Sequence, residues 1–511
     1  MTKRSNITAL YITEEVANSL GSYNPVIAPL TGSDVWQGFE PNSYSDTGAE
    51  IKTVQRQPID PGRQDKKGTI VDLDAKAGFS TDVTRTNLAA LMQGFFYADA
   101  REQPATKPVV GSSVTITGVT ATYNAATGLI GFNVPNALVF MTGFGVAANN
   151  GLKKVTSSTA SALTVTPAPT TEASPPAASE ARIVGKEFAS GDLSITVSGG
   201  IATLASAANA LPTNLVPGQW IYIGGDLAAN QFATCPRGWA RLRTVSASAY
   251  VLDLTVLLND AAPVTDAGAG KTMQIFFGSM LKNEVGSLIK RRSYQIERQL
   301  DQTSLSAEYL IGCVPNEAAI TIPGQDKVSA DLSFVAIDQA FQTGSFKAGT
   351  RVAALAQDAV NTSSDVRFSK LCISPNGAGS STSSALFAFA SEINISINNN
   401  NEPSKAVGKL GAIDVHEGNF QATGSLTAYF ESTAALSAVR TNADVGFASA
   451  FVTSGKQAGF LLDIPLLQLG NGQLQIEKDA DMMVPLDLAG VQNAFGFTAS
   501  WQTFYYLPAV A

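Results

Sequence analysis

Histidine occurs once in 511 residues and cysteine three times. A zinc site needs clustered thiolate or imidazole ligands, and a disulfide framework needs paired cysteines. Cys235, Cys313 and Cys372 lie far apart with no C-x-x-C spacing, so they support neither and read as buried thiols. The single histidine, His416, stands in Asp-Val-His-Glu-Gly between Asp414 and Glu417. Groups that close along one strand point to both faces, and no second histidine or cysteine joins them, which argues against a metal ligand or a general base. The nucleophile elbow, the phosphate loop and the dinucleotide fingerprint are all missing. At 8% aromatic content no aromatic groove accompanies paired carboxylates of the kind glycoside cleavage uses. An enzyme is therefore not expected, nor a cofactor or a metal.

Charge is scarce as well. Charged residues make up 15% of the chain and the formal net charge is -8, with no basic stripe, so sequence-independent attraction to nucleic acid phosphate is not expected. No run approaches the ~18 apolar residues of a membrane helix. The opening MTKRSNITALYITEE reaches Glu14 and Glu15 without an apolar core, so no secretory signal is expected and the product should begin life soluble in a cytoplasm.

What is present is repetition. From Val134 the chain reads VPNALVFMTGFGVAANNGLKKVTSSTASALTV, and from Val216 it reads VPGQWIYIGGDLAANQFATCPRGWARLRTVSASAYVLDL. The two share a Pro turn, an apolar strand, a Gly near its end, an Ala-Asn turn and a Val-x-Ser/Thr strand before a last alternating strand. Each copy reads as one small β module. A weaker repeat flanks them: GTIVDLDAKAG from Gly68 resembles GKLGAIDVHEG from Gly408, matching Leu73 with Ile413, Asp74 with Asp414 and Gly78 with Gly418, each behind a Glu-Ile pair, Glu50-Ile51 or Glu392-Ile393. With 45% apolar residues and 44 glycines, the chain has material for real cores and many tight turns, and three or four domains fit its length.

Turn chemistry and period divide the chain. Residues 1–49 read as an arm that docks elsewhere. Residues 50–108 and 281–342 form one outer domain, interrupted by modules at 109–187 and 188–280. Residues 343–384 are a polar connection, and 385–511 form the second outer domain. TPAPTTEASPPAASE between the modules reads as a long exposed hairpin or linker whose Pro and Ser content does not bury. Leu88, Leu91, Met92, Phe95 and Phe96 fall on one face of a helix behind a Thr86 cap, and a second helix is expected near Thr433 to Ala443 with Leu436 and Val439 inward. The run Lys290, Arg291, Arg292 is the densest basic cluster, either a solvated strand entrance or a salt-bridge patch between subunits.

The outer parts resemble a known family. ALYITEE, SYQIERQLDQTS followed by YLIGCVPNEAAITI, then KVSADLSFVA and EINISINNNNEPSKAVG, are similar to the major tail tube proteins of long-tailed, non-contractile bacteriophages. The stretch GFGVAANNGLKKVTSSTASALTV looks like small β modules that recur in phage tail proteins. The resemblance implies a mainly β protein: a duplicated sandwich or barrel tube fold with short flanking helices, plus two inserted β domains on the outer surface. It also implies a virion component, assembled in the host cytoplasm, that polymerises with itself into stacked rings. Two tube folds per chain imply trimeric rings with pseudo-sixfold symmetry, one fold per chain hexamers. Implied partners are a tape measure protein, a tail terminator and a distal tail protein, with DNA passing through the lumen unbound and no membrane involved.

A conduit for DNA gains from an acidic inner wall that repels phosphate. Asp72, Asp74, Asp414 and Glu417 are the candidates for that wall, because strand alternation sends them away from the core. The rival reading is a surface adhesin or carbohydrate-binding protein, for which Trp220, Tyr222, Trp239 and Tyr250 would supply sugar-stacking faces.

Overall fold

The computed structural model describes residues 8–15, 35–56, 59, 61–62, 64, 66–84, 87–101, 105–106, 115–117, 122–125, 128–176, 179–256, 258, 261–354, 359–362, 364–373, 384–387, 389–453 and 457–509. Within these the chain is mainly β, with a 19-stranded and a 13-stranded sheet network and a two-stranded ribbon.

The larger network holds one fold twice. In the first copy the strands run in space as Thr69–Asp82, Ser329–Ala336, Ser306–Pro323, Tyr294–Asp301 and Ala9–Glu14, every pair antiparallel. In the second they run as Gln421–Tyr429, Met483–Gly490, Ala458–Asn471, Val445–Thr453 and Val366–Ile373, again antiparallel throughout. A helix follows the corresponding strand in each: α1 (Leu91–Phe95) and α2 (Ala434–Thr441). A single core runs through both copies, with Phe79, Leu332 and Phe334 in one and Leu426, Leu486 and Trp501 in the other.

This pairing moves two boundaries read from sequence. Part of the expected arm, Ala9–Glu14, is a sheet strand that pairs with Tyr294–Asp301. The connection 343–384 contains Val366–Ile373, which takes the equivalent place beside Val445–Thr453. The outer repeat is real, but the match that suggested it is out of register. Phe79 stands opposite Leu332 as Leu426 stands opposite Leu486, so Ala75 corresponds to Ala422, and Asp74 does not correspond to Asp414. Glu50 and Ile51 belong to strand Gly48–Val54, whereas Glu392 and Ile393 belong to Ala390–Asn398 and stand level with Ser43 and Tyr44.

All five apolar residues of the first helical stretch are buried. Gly94 lets α1 lie close on its neighbours, since a Cβ there would come within 2.8 Å of Pro315 and of the Tyr294 hydroxyl. Thr86 lies outside the described residues; the turn before the helix is closed instead by Thr84 and Asn87, each side chain accepting from the other's backbone N–H at 3.3 and 3.1 Å. In α2 the fully buried residues are Ala435 and Ala438, with Leu436 and Val439 packed half-buried against the core. Asn442 ends it at φ 49°, its N–H reaching Ala438 and Val439.

The inserted modules repeat strand for strand. One runs Thr115–Thr117, Thr122–Asn124, Ala162–Thr166, Gly151–Ser158, Ala137–Thr142, Glu180–Glu187; the other Leu193–Ser198, Ile201–Ser206, Ala249–Asp253, Gly238–Val245, Trp220–Ile223, Gln274–Phe277. Their last strands pair antiparallel, Lys186 opposite Ile275, so the modules share one sheet and one core around a local twofold. The Ala-Asn turns are single 3-10 turns, Ala147–Asn149 and Ala228–Asn230, and both asparagines are buried clamps. Asn149 donates to Glu172 at 2.8 Å and Asn230 to the Thr272 carbonyl at 2.9 Å. The linker between the modules is thereby held at Glu172, and its Ser179 is fully buried against the Gly143 carbonyl, contrary to the expectation for that composition.

Candidate assembly surface

Strands Gly48–Val54 and Thr69–Asp82 form a ribbon whose outer half is exposed on both faces. Ile51, Val54, Ile70 and Val71 are all more than half exposed there. A two-stranded ribbon is marginal in water, and clustered exposed aliphatic side chains mark a contact surface. The ribbon Glu402–Lys405 with Ala412–His416 lies beside it and adds exposed Val407, Leu410 and Ile413.

The four candidate carboxylates gather where these ribbons meet. Lys405 donates to Asp72 at 2.5 Å and also to Asp74; Lys52 pairs with Asp74 and lies 3.7 Å from Asp72. The Lys405 ammonium, first of all, holds both carboxyls below the usual carboxylate range, with Lys52 adding to the effect at Asp74. Asp414 accepts from Arg291 at 2.8 Å, and Glu417 lies 3.9 Å from the same guanidinium. Four carboxylates thus face three cations, and the patch is close to neutral. His416 is exposed, with Glu402 as its cross-strand neighbour.

The basic run fastens parts of one chain together. Arg292 bridges Glu14 and Asp99 at 2.5 Å each, Lys290 pairs with Asp99, and Arg291 crosses from the first copy of the fold to the second through Asp414.

The inserted unit is docked on the second copy by a buried polar knot missed in the sequence. Arg241, 1% exposed, reaches Asp253 at 2.8 Å and Asp463 at 3.0 Å. Trp220 donates its indole N–H to Asp463 at 2.9 Å and its backbone N–H to Gln502 at 2.8 Å. Burial pushes the Asp463 carboxyl up. It opposes the charge of Asp253 too, but there Arg241 and Thr255 outweigh it and hold that carboxyl low. A lone Asp in GFLLDIPLL and a lone Arg in GWARL were the available signals, because a charge inside an apolar strand is paired when it is buried. Around the knot Trp220, Tyr222 and Trp239 pack with Phe504, Tyr506 and Leu507. With Tyr250 also buried, none of the four aromatic faces is open for stacking a sugar ring.

These features describe a structural β protein whose charged groups hold its own parts together. A family model, that of the phage tail tube protein, matches residues 131–490, well over half of the chain, and the chain belongs to that family. The matched span includes most of the inserted unit as well as the second copy of the fold. No curated protein matches the chain.

Proposed function

We propose that the chain is the repeating subunit of a tail tube: chains close into rings, rings stack, and the lumen conducts DNA during ejection. The observation that carries this reading is the duplicated fold, since two copies joined by a shared sheet within one chain are a fragment of a ring already built. Six folds around the axis then need three chains. The exposed ribbon of Gly48–Val54 with Thr69–Asp82 and its neighbour 402–416 are the contacts between stacked rings, which would cover Ile51, Val54, Ile70 and Val71.

Asp72, Asp74, Asp414 and Glu417 belong to the wall that DNA passes. The expected repulsion by an acidic wall is largely cancelled by Lys52, Lys405 and Arg291, and engaged lysines and arginines are in turn poor grips for phosphate, so the patch holds DNA weakly. The domain division follows the same scheme: two tube folds, with the paired modules between them on the outside of the ring. Tape measure, terminator and distal tail proteins are the partners of such a tube, and the virion is its place. Negative-stain microscopy of the purified chain over a concentration series tests this. Tubes with a central channel are expected; particles that remain single chains at every concentration, even with a preformed tail initiator added, would overturn it.

A further inference from the structure

The two copies of the tube fold meet along one strand edge. Residues 317–323 pair antiparallel with residues 392–398, from Glu317 opposite Asn398 to Pro323 opposite Glu392. Each edge has a counterpart in the other copy. Cys313 ends the pairing with Tyr294 as Leu467 ends that with Val445, and Val314 faces Val335 as Gln468 faces Ala489. After the one-residue bulge at Pro315/Glu317, Glu317, opposite Ser333, is level with Gly470, opposite Asp487; the second copy then slips by one residue, so that Thr321, opposite Ser329, is level with Gln475, opposite Met483. On the other side Tyr44 opposite Phe79 is level with Ile393 opposite Leu426, and Gly48 opposite Lys76 with Ser396 opposite Thr423.

The joined edges are covered: Ile320, Ile322, Ile393 and Ile395 are each at most 5% exposed. The open edges are less covered: Tyr44, the counterpart of Ile393, and Leu474 are only half-buried. Among the described residues, 43–50 is paired only with Thr69–Asp82 and 470–471 only with Met483–Gly490, leaving one side of each without a strand. Ser43, Ser45, Gln473, Gln475 and Ile476 are exposed there. An open strand edge is a template for another strand, and the chain itself displays which strand fits, because its own second fold already occupies the equivalent edge of its first.

We infer that residues 470–475 of one chain pair antiparallel with residues 45–50 of a second copy, Gln475 level with Ser45 and Gly470 with Glu50, repeating between chains the joint found within one. The contact is head to tail, so it propagates in one direction and closes when the rotation between the folds completes a circle. The inference rests on the ring reading and adds its edges and register.

Cysteine pairing tests it on the full chain. The double variant Ser45→Cys/Gln475→Cys places thiols at facing positions on different chains, and Thr321→Cys/Asn394→Cys places them at the equivalent facing positions within one. The native cysteines are buried. On mild oxidation the first variant is expected to shift from single chains to a ladder of disulfide-linked chains that stops at the closed ring, with both single-cysteine variants unlinked. The second variant is expected to lose its two introduced thiols without forming linked chains. Microscopy of the same samples separates the outcomes. Tubes without linked chains, while the internal control oxidises, overturn the edge assignment and leave the tube reading standing. Linked ladders without tubes support the edge and count against stacking. Neither tubes nor ladders overturns both.

Discussion

At the scale of single residues, Asp463 shows how a buried charge becomes structural. It is fully buried, faces Arg241 from another part of the sequence, and takes the Trp220 indole as well. Asp463→Ala leaves Arg241 with one carboxylate in the interior, and the expected loss is about 3–5 kcal/mol in urea unfolding. Asp266 supplies a pH-dependent counterpart. Burial opposes its charge, but the N–H groups of Thr234, Gly268 and Cys235 and the Thr234 hydroxyl donate to it at 2.6 to 3.3 Å and hold its carboxyl down at about 2. The folded carboxyl binds its proton less tightly than the unfolded one, so its contribution is complete above the ordinary value of 3.8 and fades as pH falls from there toward 2. Asp266→Asn should flatten the fall of the urea midpoint across that window; an unchanged fall would assign the acid sensitivity elsewhere. The four candidate carboxylates were legible as pointing away from the core, but their cations were not. Lys405 is more than 300 positions from Asp72 and Asp74, and only the folded hairpins bring them together.

At the scale of elements, legibility followed locality. The paired modules could be read because each repeats its strands, turns and clamp asparagine at matching intervals, and the first helix because five apolar residues fall on one face. The outer repeat was detected through two Gly-bounded acidic stretches that turn out to be single strands of two different ribbons, at positions that do not correspond. Strands Ala9–Glu14 and Val366–Ile373 went unread because their partners lie far along the chain and their flanks are rich in polar turn residues. The seam between the modules has a sharp steric test. A Cβ at Gly185 would lie 2.3 Å from the Ile275 carbonyl oxygen, a backbone atom, so Gly185→Ala must spread the pairing of 180–187 with 274–277. The expected cost is about 1–3 kcal/mol, read by urea unfolding, with faster hydrogen exchange confined to those two strands.

At the scale of the whole molecule, the insertion begins and ends at one place, Arg101 and Met280 exchanging backbone hydrogen bonds at 2.9 and 3.3 Å. Excising residues 103–278 with a short Gly-Ser bridge is therefore geometrically simple. It nevertheless strips Arg241 and Trp220 from Asp463 and exposes Leu461, Phe504, Tyr506 and Leu507. The excised chain should unfold at lower urea than the intact one, and adding Asp463→Leu should recover part of the loss by removing the unpaired charge. An excised chain as stable as the full one would mean that the modules are carried without being part of the core.

The central claim, that each chain carries two tube folds and that six folds close a ring, is tested most directly by the symmetry of assembled tubes seen end on. Averaged images should show three outer densities, the paired modules of three chains, around an inner wall of six similar units. Six outer densities around twelve inner units, or an inner wall without twofold repetition per chain, would contradict it.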